Sequence, residues 1–408
     1  MTAIWLALIA LGGVAAVAAS QEWVRLGFHA TVFATGAVFL LRNKAVPPRG
    51  AAFLLAIPFY GLAQWAMGWT EYRHATLAAS VDWAALAVLF ITTGTSLSPR
   101  PARARFLRTL MYGGAALLFF GMLRFYSFGT DIGPFVNRDH FAAFGELLLG
   151  IAIWETMRQP DGRRLAPMGV AALLFGAVVA SGSRAGTLLA TAEILGFSLL
   201  YPGPRRRRIA LGLAGCGLAA VAVMGWQLTW SRLGQTDPLK GRREITSATL
   251  AMIQTRPWIG FGLGSYETVY PEFAVFDPGA RVDHAHNDWL EWAAEGGLPL
   301  IVLLAGFVIT AARRAPPFAW GAGVVLIHAA VDFPMHIPAL AAAVFAVLGA
   351  AGAPALLGDD RVPQVAKTLD ADHYVIARQQ PTGRLPRESY SGRRSRRNDV
   401  AGFQGEHS

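Results

Sequence analysis

The chain has 408 residues, of which 54% are hydrophobic and only 15% charged, too apolar a mixture for a soluble domain of this size and one that belongs in lipid. A formal net charge of +10 invites a nucleic-acid reading, but the basic residues fall in short connectors and a tail, which excludes nucleic acid as a partner. The one cysteine, Cys216, rules out an intrachain disulfide and a thiolate metal site.

A membrane span needs roughly 20 mostly apolar residues. About twelve segments qualify, near 3–19, 27–41, 51–69, 78–97, 106–123, 140–157, 165–181, 185–201, 208–230, 288–310, 318–331 and 337–356. The predicted fold is therefore an all-α polytopic membrane protein. Residues 1–357 form its transmembrane domain, with one long loop, 231–287, between the ninth and tenth helices. Residues 358–408, rich in Arg, Gly, Pro and Ser, read as a disordered basic tail.

Lys and Arg resist translocation, so their distribution over the connectors fixes orientation. Five alternate short connectors hold sixteen of them and the tail after residue 357 nine more, against eleven in the other set, six of those in the long loop. Both termini are thus expected in the cytoplasm of an inner-membrane protein, with the long loop in the periplasm. The alternative, that the first span is a signal peptide, lacks a basic segment before the apolar core.

The unusual polar residues all fall on the side assigned outside. Asn137-Arg138-Asp139-His140-Phe141-Ala142 opens the sixth span, with Glu146 two turns in, and Ser181-Gly182-Ser183-Arg184-Ala185-Gly186 is a tight break between two apolar runs. The long loop carries Gly241-Arg242-Arg243-Glu244, an amphipathic stretch to Ile253, then Pro257-Trp258-Ile259-Gly260-Phe261-Gly262-Leu263-Gly264. Those alternating glycines lack the G-x-G-x-x-G spacing and the strand-helix setting of a dinucleotide site.

Next comes Asp283-His284-Ala285-His286-Asn287-Asp288-Trp289-Leu290-Glu291, then Glu295-Gly296-Gly297. Asp288 and Glu291 make a weak capping-box variant, so a helix starts at Asn287 or Asp288. From there Leu290, Ala293, Ala294, Gly297 and Leu298 form an apolar stripe, with Asp288, Glu291 and Glu295 on another face. Glu295 lies about 10 Å beyond the start of the helix, within the membrane region, and a carboxylate there requires a polar cavity or a partner. His284 and His286 could chelate a metal from an extended loop, yet nothing else completes a recognised ligand pattern; no metal and no cofactor is assigned. Finally, Asp332-Phe333-Pro334-Met335-His336-Ile337-Pro338 separates the last two spans, one turn after His328. Each cluster alone has a structural explanation, such as an arginine reaching headgroups or a histidine joining helices. Their convergence on one face does not.

In this order the motifs resemble the O-antigen ligase and polymerase superfamily of bacterial envelope glycan transferases, over about residues 130–340. The resemblance implies a multi-helix membrane fold of the GT-C kind, with the site in the outer leaflet under the periplasmic loop. By position, Arg184 and Arg242 correspond to arginines that engage a lipid diphosphate, and His286 to the histidine of the His-Asn motif. Leu300 stands where the motif carries a further Gly. Arg243 beside Arg242 leaves two registers for that arginine, and His284 competes with His286. The catalytic set is thus His286, Arg184 and Arg242, with Arg243, His284, Asn287, Glu295, Arg138, His140, Asp332 and His336 as substrate-binding candidates.

The implied reaction moves a glycan from undecaprenyl diphosphate to an acceptor hydroxyl on lipid A core, on a growing glycan or, as an alternative, on protein. A transporter or flippase for polyprenyl-linked glycans is the competing class. It would distribute ionisable groups along the whole path, often over inverted repeats, whereas here they bunch on one side.

Overall fold

The computed structural model describes residues 1–16, 22–42, 46–129, 134–200, 211–215, 219, 240–275, 279, 281–313 and 315–353. The predicted ninth span is almost wholly outside them, as are the first part of the long loop and the basic tail. Among the described residues the chain is helical and contains no strand.

In chain order the helices are α1 (Thr2–Ala16), α2 (Glu22–Arg42), α3 (Ala51–Met67), α4 (Arg73–Ser96), α5 (Arg100–Phe128), α6 (Arg138–Arg158), α7 (Leu165–Ala180) and α8 (Arg184–Leu200). There follow α9 (Lys240–Thr255), α10 (Tyr266–Phe273), α11 (Asp288–Ala312), α12 (Trp320–His328) and α13 (Pro338–Gly352). By length and composition, α4, α5, α11 and the segment Trp23–Leu41 of α2 are long and apolar enough to cross a membrane. Helices α1, α3, α7 and α13 are apolar but shorter.

The breaks predicted from the sequence are real. Ser181–Ser183 separates α7 from α8, and Phe333–Ile337 separates α12 from α13 through a short 3-10 turn at Pro334–His336. Helix α6 starts where Asn137 Oδ1 accepts the Asp139 N–H at 2.8 Å, with Asp139 itself in the positive first turn and Arg158 in the last. It is the central helix, buried on nearly every face.

An aromatic column joins α4, α11 and α13. Trp292 meets Trp83 at 5.7 Å between centroids, Trp83 meets Phe345 at 6.0 Å, Phe345 meets Phe307 at 5.5 Å and Phe307 meets Phe90 at 5.3 Å. Tilted and edge-on pairs of this kind favour a fixed geometry. They hold the three helices in parallel, with the N-terminal ends of α4 and α11 at one end of the bundle. Within α11, Trp289 also packs edge-on to Trp292.

The described part of the long loop is not an open loop. Helices α9 and α10 fold into a cap with a small core of its own, in which Ile245, Ala248 and Met252 pack with Phe261, Tyr266, Val269 and Tyr270. Thr249 and Tyr266 share a buried hydroxyl hydrogen bond of 2.7 Å.

The glycine-rich turn fastens this cap to α11. Helix α11 is broken at Gly297, whose φ of 60° and ψ of −160° leave nearby carbonyls without helical partners. The turn and helix α3 supply them: Phe261 N donates to Ala294 O (3.0 Å), Gly262 N and Gln64 Nε2 to Glu295 O (2.9 and 3.1 Å), and Tyr60 OH to Gly296 O (2.8 Å). Leu298 N returns a bond to Pro257 O at 2.9 Å. Gly260 has φ 65°, and a Cβ on it would fall 2.3 Å from the Glu295 carbonyl carbon. Only glycine fits that backbone and that approach.

Candidate functional site

Four stretches that are far apart in sequence meet at one end of the bundle: the start of α6, the start of α9, the segment 284–291 and the break at 332–336. Asp332 is the hub. Its carboxylate accepts from His286 Nδ1 at 3.0 Å, lies 3.4 Å from His140 Nε2 and 3.6 Å from Arg242 Nη2, and is 1% exposed. Arg242 also approaches Asp139 at 3.5 Å and donates from Nη1 to the Val331 carbonyl at 3.1 Å. Burial pushes the Asp332 carboxyl up, but the His286 hydrogen bond and the charges of His140, His286 and Arg242 outweigh it and hold the group below the usual carboxylate range.

His286 alone among described non-glycine residues has a left-handed backbone, with φ 52°. Such a conformation costs free energy and persists where surrounding contacts enforce it. Here it turns the imidazole toward Asp332. Because a carboxylate only accepts, Nδ1 is the donor and the Nε2 lone pair is left free, on a side chain that is 30% exposed.

A second network lies beside the first. Glu291 accepts from His284 Nδ1 at 2.8 Å and from the Ala285 N–H at 2.7 Å. Asp288 accepts the Met335 N–H at 2.9 Å and pairs with His336 Nδ1, while His336 Nε2 lies 3.3 Å from Glu291. Burial alone would push the His336 imidazole down; Glu291 and Asp288 override it and hold it at about 10. Phe333 sits among three of the histidines, stacked on His284 (4.4 Å) and edge-on to His140 (4.6 Å) and His286 (5.0 Å).

The helix start differs in one respect from expectation. Asn287 is the cap, its side chain accepting the Leu290 N–H at 3.1 Å and donating to the Ala330 carbonyl at 2.7 Å. Glu291 does not complete a capping box; it is drawn to His284 and Ala285 instead. The faces of α11 also divide as lipid requires: Asp288, Glu291 and Glu295 are buried, whereas Leu298 is exposed and Leu290 and Ala293 half-exposed. Glu295 finds both of its expected surroundings. It accepts the Tyr266 N–H at 3.1 Å and lines a cavity of about 90 Å³ shared with His29, Asp82 and His336.

The remaining predicted residues are placed as follows. Arg243 is exposed, whereas its neighbour Arg242 is the one that reaches Asp332. Arg138 is exposed at the first position of α6. Arg184 is exposed at the first position of α8, on the same side, because a Cβ on Gly186 would meet Ala142 in the first turns of α6 at 2.5 Å.

Asp139, Asp288, Glu291 and Phe333 were not among the site residues named from the sequence, which read Asp288 and Glu291 only as a helix cap and as part of a polar helix face, although all four stand within the quoted motifs. Glu146 and His328 form a fully buried pair at 2.9 Å one turn below Asp332. A separate apolar cavity of about 500 Å³ is built from the opposite ends of α8, α11 and α12; Glu193 is the ionisable residue lining it.

Fold and site together define a helical, multi-span membrane protein with a histidine- and carboxylate-rich site at one end of the bundle, under a helical cap. Comparison with known proteins narrows this class. Residues 169–305 match a family model described as O-antigen ligase. The exopolysaccharide production protein ExoQ of Rhizobium meliloti (strain 1021) is 24% identical over 289 residues, which cover 62% of this chain and 65% of that protein. Over residues 169–305 the chain is thus similar to the O-antigen ligase family, in line with the likeness its motifs carry. The matched segment holds Arg184, Arg242 and His286 but ends before Asp332 and His336.

Proposed function

We propose that the protein is a membrane glycosyltransferase that extends a surface polysaccharide. The glycan would come from undecaprenyl diphosphate in the outer leaflet of the inner membrane and pass to a hydroxyl of a second lipid-linked glycan. The carrying observation is the Asp332 hub, which brings Arg242, His286 and His140 together from three distant stretches. Similarity to a protein named for exopolysaccharide production favours chain growth. Ligation to lipid A core is the second reading, favoured by the description of the matching family.

In this mechanism Asp332 fixes the tautomer of His286, whose Nε2 takes the proton from the acceptor hydroxyl. The acceptor oxygen forms a bond to the anomeric carbon as the bond from that carbon to the diphosphate oxygen breaks. The products are the longer glycan and undecaprenyl diphosphate, and the proton passes from His286 to water. Developing negative charge on the leaving group requires fixed cations, and Arg suits it because its planar guanidinium stays charged and binds two phosphate oxygens at once. Arg242 and Arg184 are assigned this part.

Purified protein incubated with an undecaprenyl diphosphate oligosaccharide should yield longer lipid-linked glycans and free undecaprenyl diphosphate. With lipid A core as sole acceptor, product there would instead support ligation. Folded protein that gives product with neither acceptor refutes the proposal.

A further inference from the structure

We infer that His284, Glu291 and His336 form a binding site for a borderline divalent cation of the Zn²⁺ type. This goes beyond the glycan-transfer reading and does not depend on it. One ring nitrogen of His284, one of His336 and a Glu291 oxygen all lie within 4.8 Å of one another. The separations from Glu291 Oε1, 2.8 Å to His284 and 3.3 Å to His336, approach the spacing of neighbouring ligands around a tetrahedral ion.

The arrangement has the supporting contacts that metal-binding histidines require. Asp288 takes Nδ1 of His336 and so aims Nε2 at the shared centre, the carboxylate–histidine relationship that fixes a ligand's tautomer and orientation. The second oxygen of Glu291 is held by the Ala285 N–H, and the His284 ring is held by stacking on Phe333. Charge points the same way. Asp288, Glu291 and Glu295 are three buried carboxylates on one face of α11, against two imidazoles, and a dication offsets this surplus more completely than one protonated histidine.

Two imidazoles and one carboxylate make the three-ligand set of zinc sites that keep an open position. A cavity of about 90 Å³ lies beside His336. Sequence spacing pairs His284 with His286. The structure separates them, giving His286 to Asp332 and pairing His284 with a residue 52 positions downstream.

The test uses full-length protein in nanodiscs, purified without a polyhistidine tag, stripped with chelator and dialysed. Elemental analysis after equilibration with Zn²⁺ should return one ion per chain, and Co²⁺ should give a d–d absorption band that saturates at one equivalent. Both signals should vanish in His284→Ala and Glu291→Gln and persist in His286→Ala. Zn²⁺ should also raise the thermal unfolding midpoint of wild type but not of Glu291→Gln. A wild-type chain that retains no ion, or an ion retained by the His284→Ala/Glu291→Gln double variant, overturns the site. Glycan transfer is measured separately, so losing one reading leaves the other standing.

Discussion

Asp332 carries the densest set of interactions among the site residues, and its replacement should therefore be the most informative. Asp332→Asn removes the acceptor that fixes His286, and transfer should fall by roughly the 100-fold to 10,000-fold that general-base help contributes. His286→Ala should match it. The stability effect has a defined pH window. The folded carboxyl titrates below its unfolded value of about 3.9, so its contribution is fully present above that value and is lost as pH falls through the folded one. Asp332→Asn should be less stable than wild type between pH 5 and 8, by about 3–5 kcal/mol for breaking a buried ionic network, and the gap should begin to close only as pH falls below about 4. A constant gap down to pH 3 would contradict the charged role.

The arginines separate in the same way. Arg242→Lys should be nearly as inactive as Arg242→Ala if paired phosphate contacts matter, and Arg184→Lys likewise. Arg243→Ala, which alters an exposed side chain beside the hub, should retain transfer. Full activity in both lysine variants would reduce the requirement to simple charge.

Among the elements, the break in α11 is the feature that sets the site. A continuous helix through Gly297 would leave no open carbonyls for the turn at 257–264, and the cap that supplies Arg242 would lose its anchorage. Gly260→Ala places a methyl 2.3 Å from the Glu295 backbone at a positive φ, so a drop in unfolding midpoint should accompany loss of transfer, with at least the 1–3 kcal/mol that such strained backbones cost. Gln64→Ala removes donors to Ile259 O and Glu295 O, and the acceptor of the Leu263 N–H, without touching the histidines. It should lower both quantities less. Wild-type stability in Gly260→Ala would show that the turn does not press on α11.

For the whole molecule, the separation of polar and apolar surfaces is the governing fact. In lipid there is little hydrophobic reward for burying Leu, so close packing and satisfied polar groups decide which faces turn inward. This is why α11 hides Asp288, Glu291 and Glu295 and presents Leu298. The orientation expected from the basic connectors is open to direct measurement: in a Cys216→Ser background, single cysteines at the exposed positions Arg281 and Arg138 should react with a membrane-impermeant maleimide added outside spheroplasts, and one at Arg105 only after lysis. Labelling of Arg138→Cys and Arg281→Cys from opposite sides would end the proposed mechanism.

The sequence by itself determined that the described residues are helical, that the chain is apolar enough for a membrane, where the breaks at 181–183 and 332–337 fall, and which polar motifs stand out from the apolar background. Those properties are local: apolar runs, Pro, Gly and charge are legible within a few residues of one another. Tertiary structure alone decided that Asp332 joins His286 to Arg242 and His140, that Glu291 serves His284 and His336 instead of a helix cap, that Phe333 lies among three histidines, and that the alternating glycines brace a helix break. Apart from Glu291–His284 and the glycine turn, those contacts link side chains 45 or more residues apart, and pairwise geometry at that range is fixed only when the helices pack.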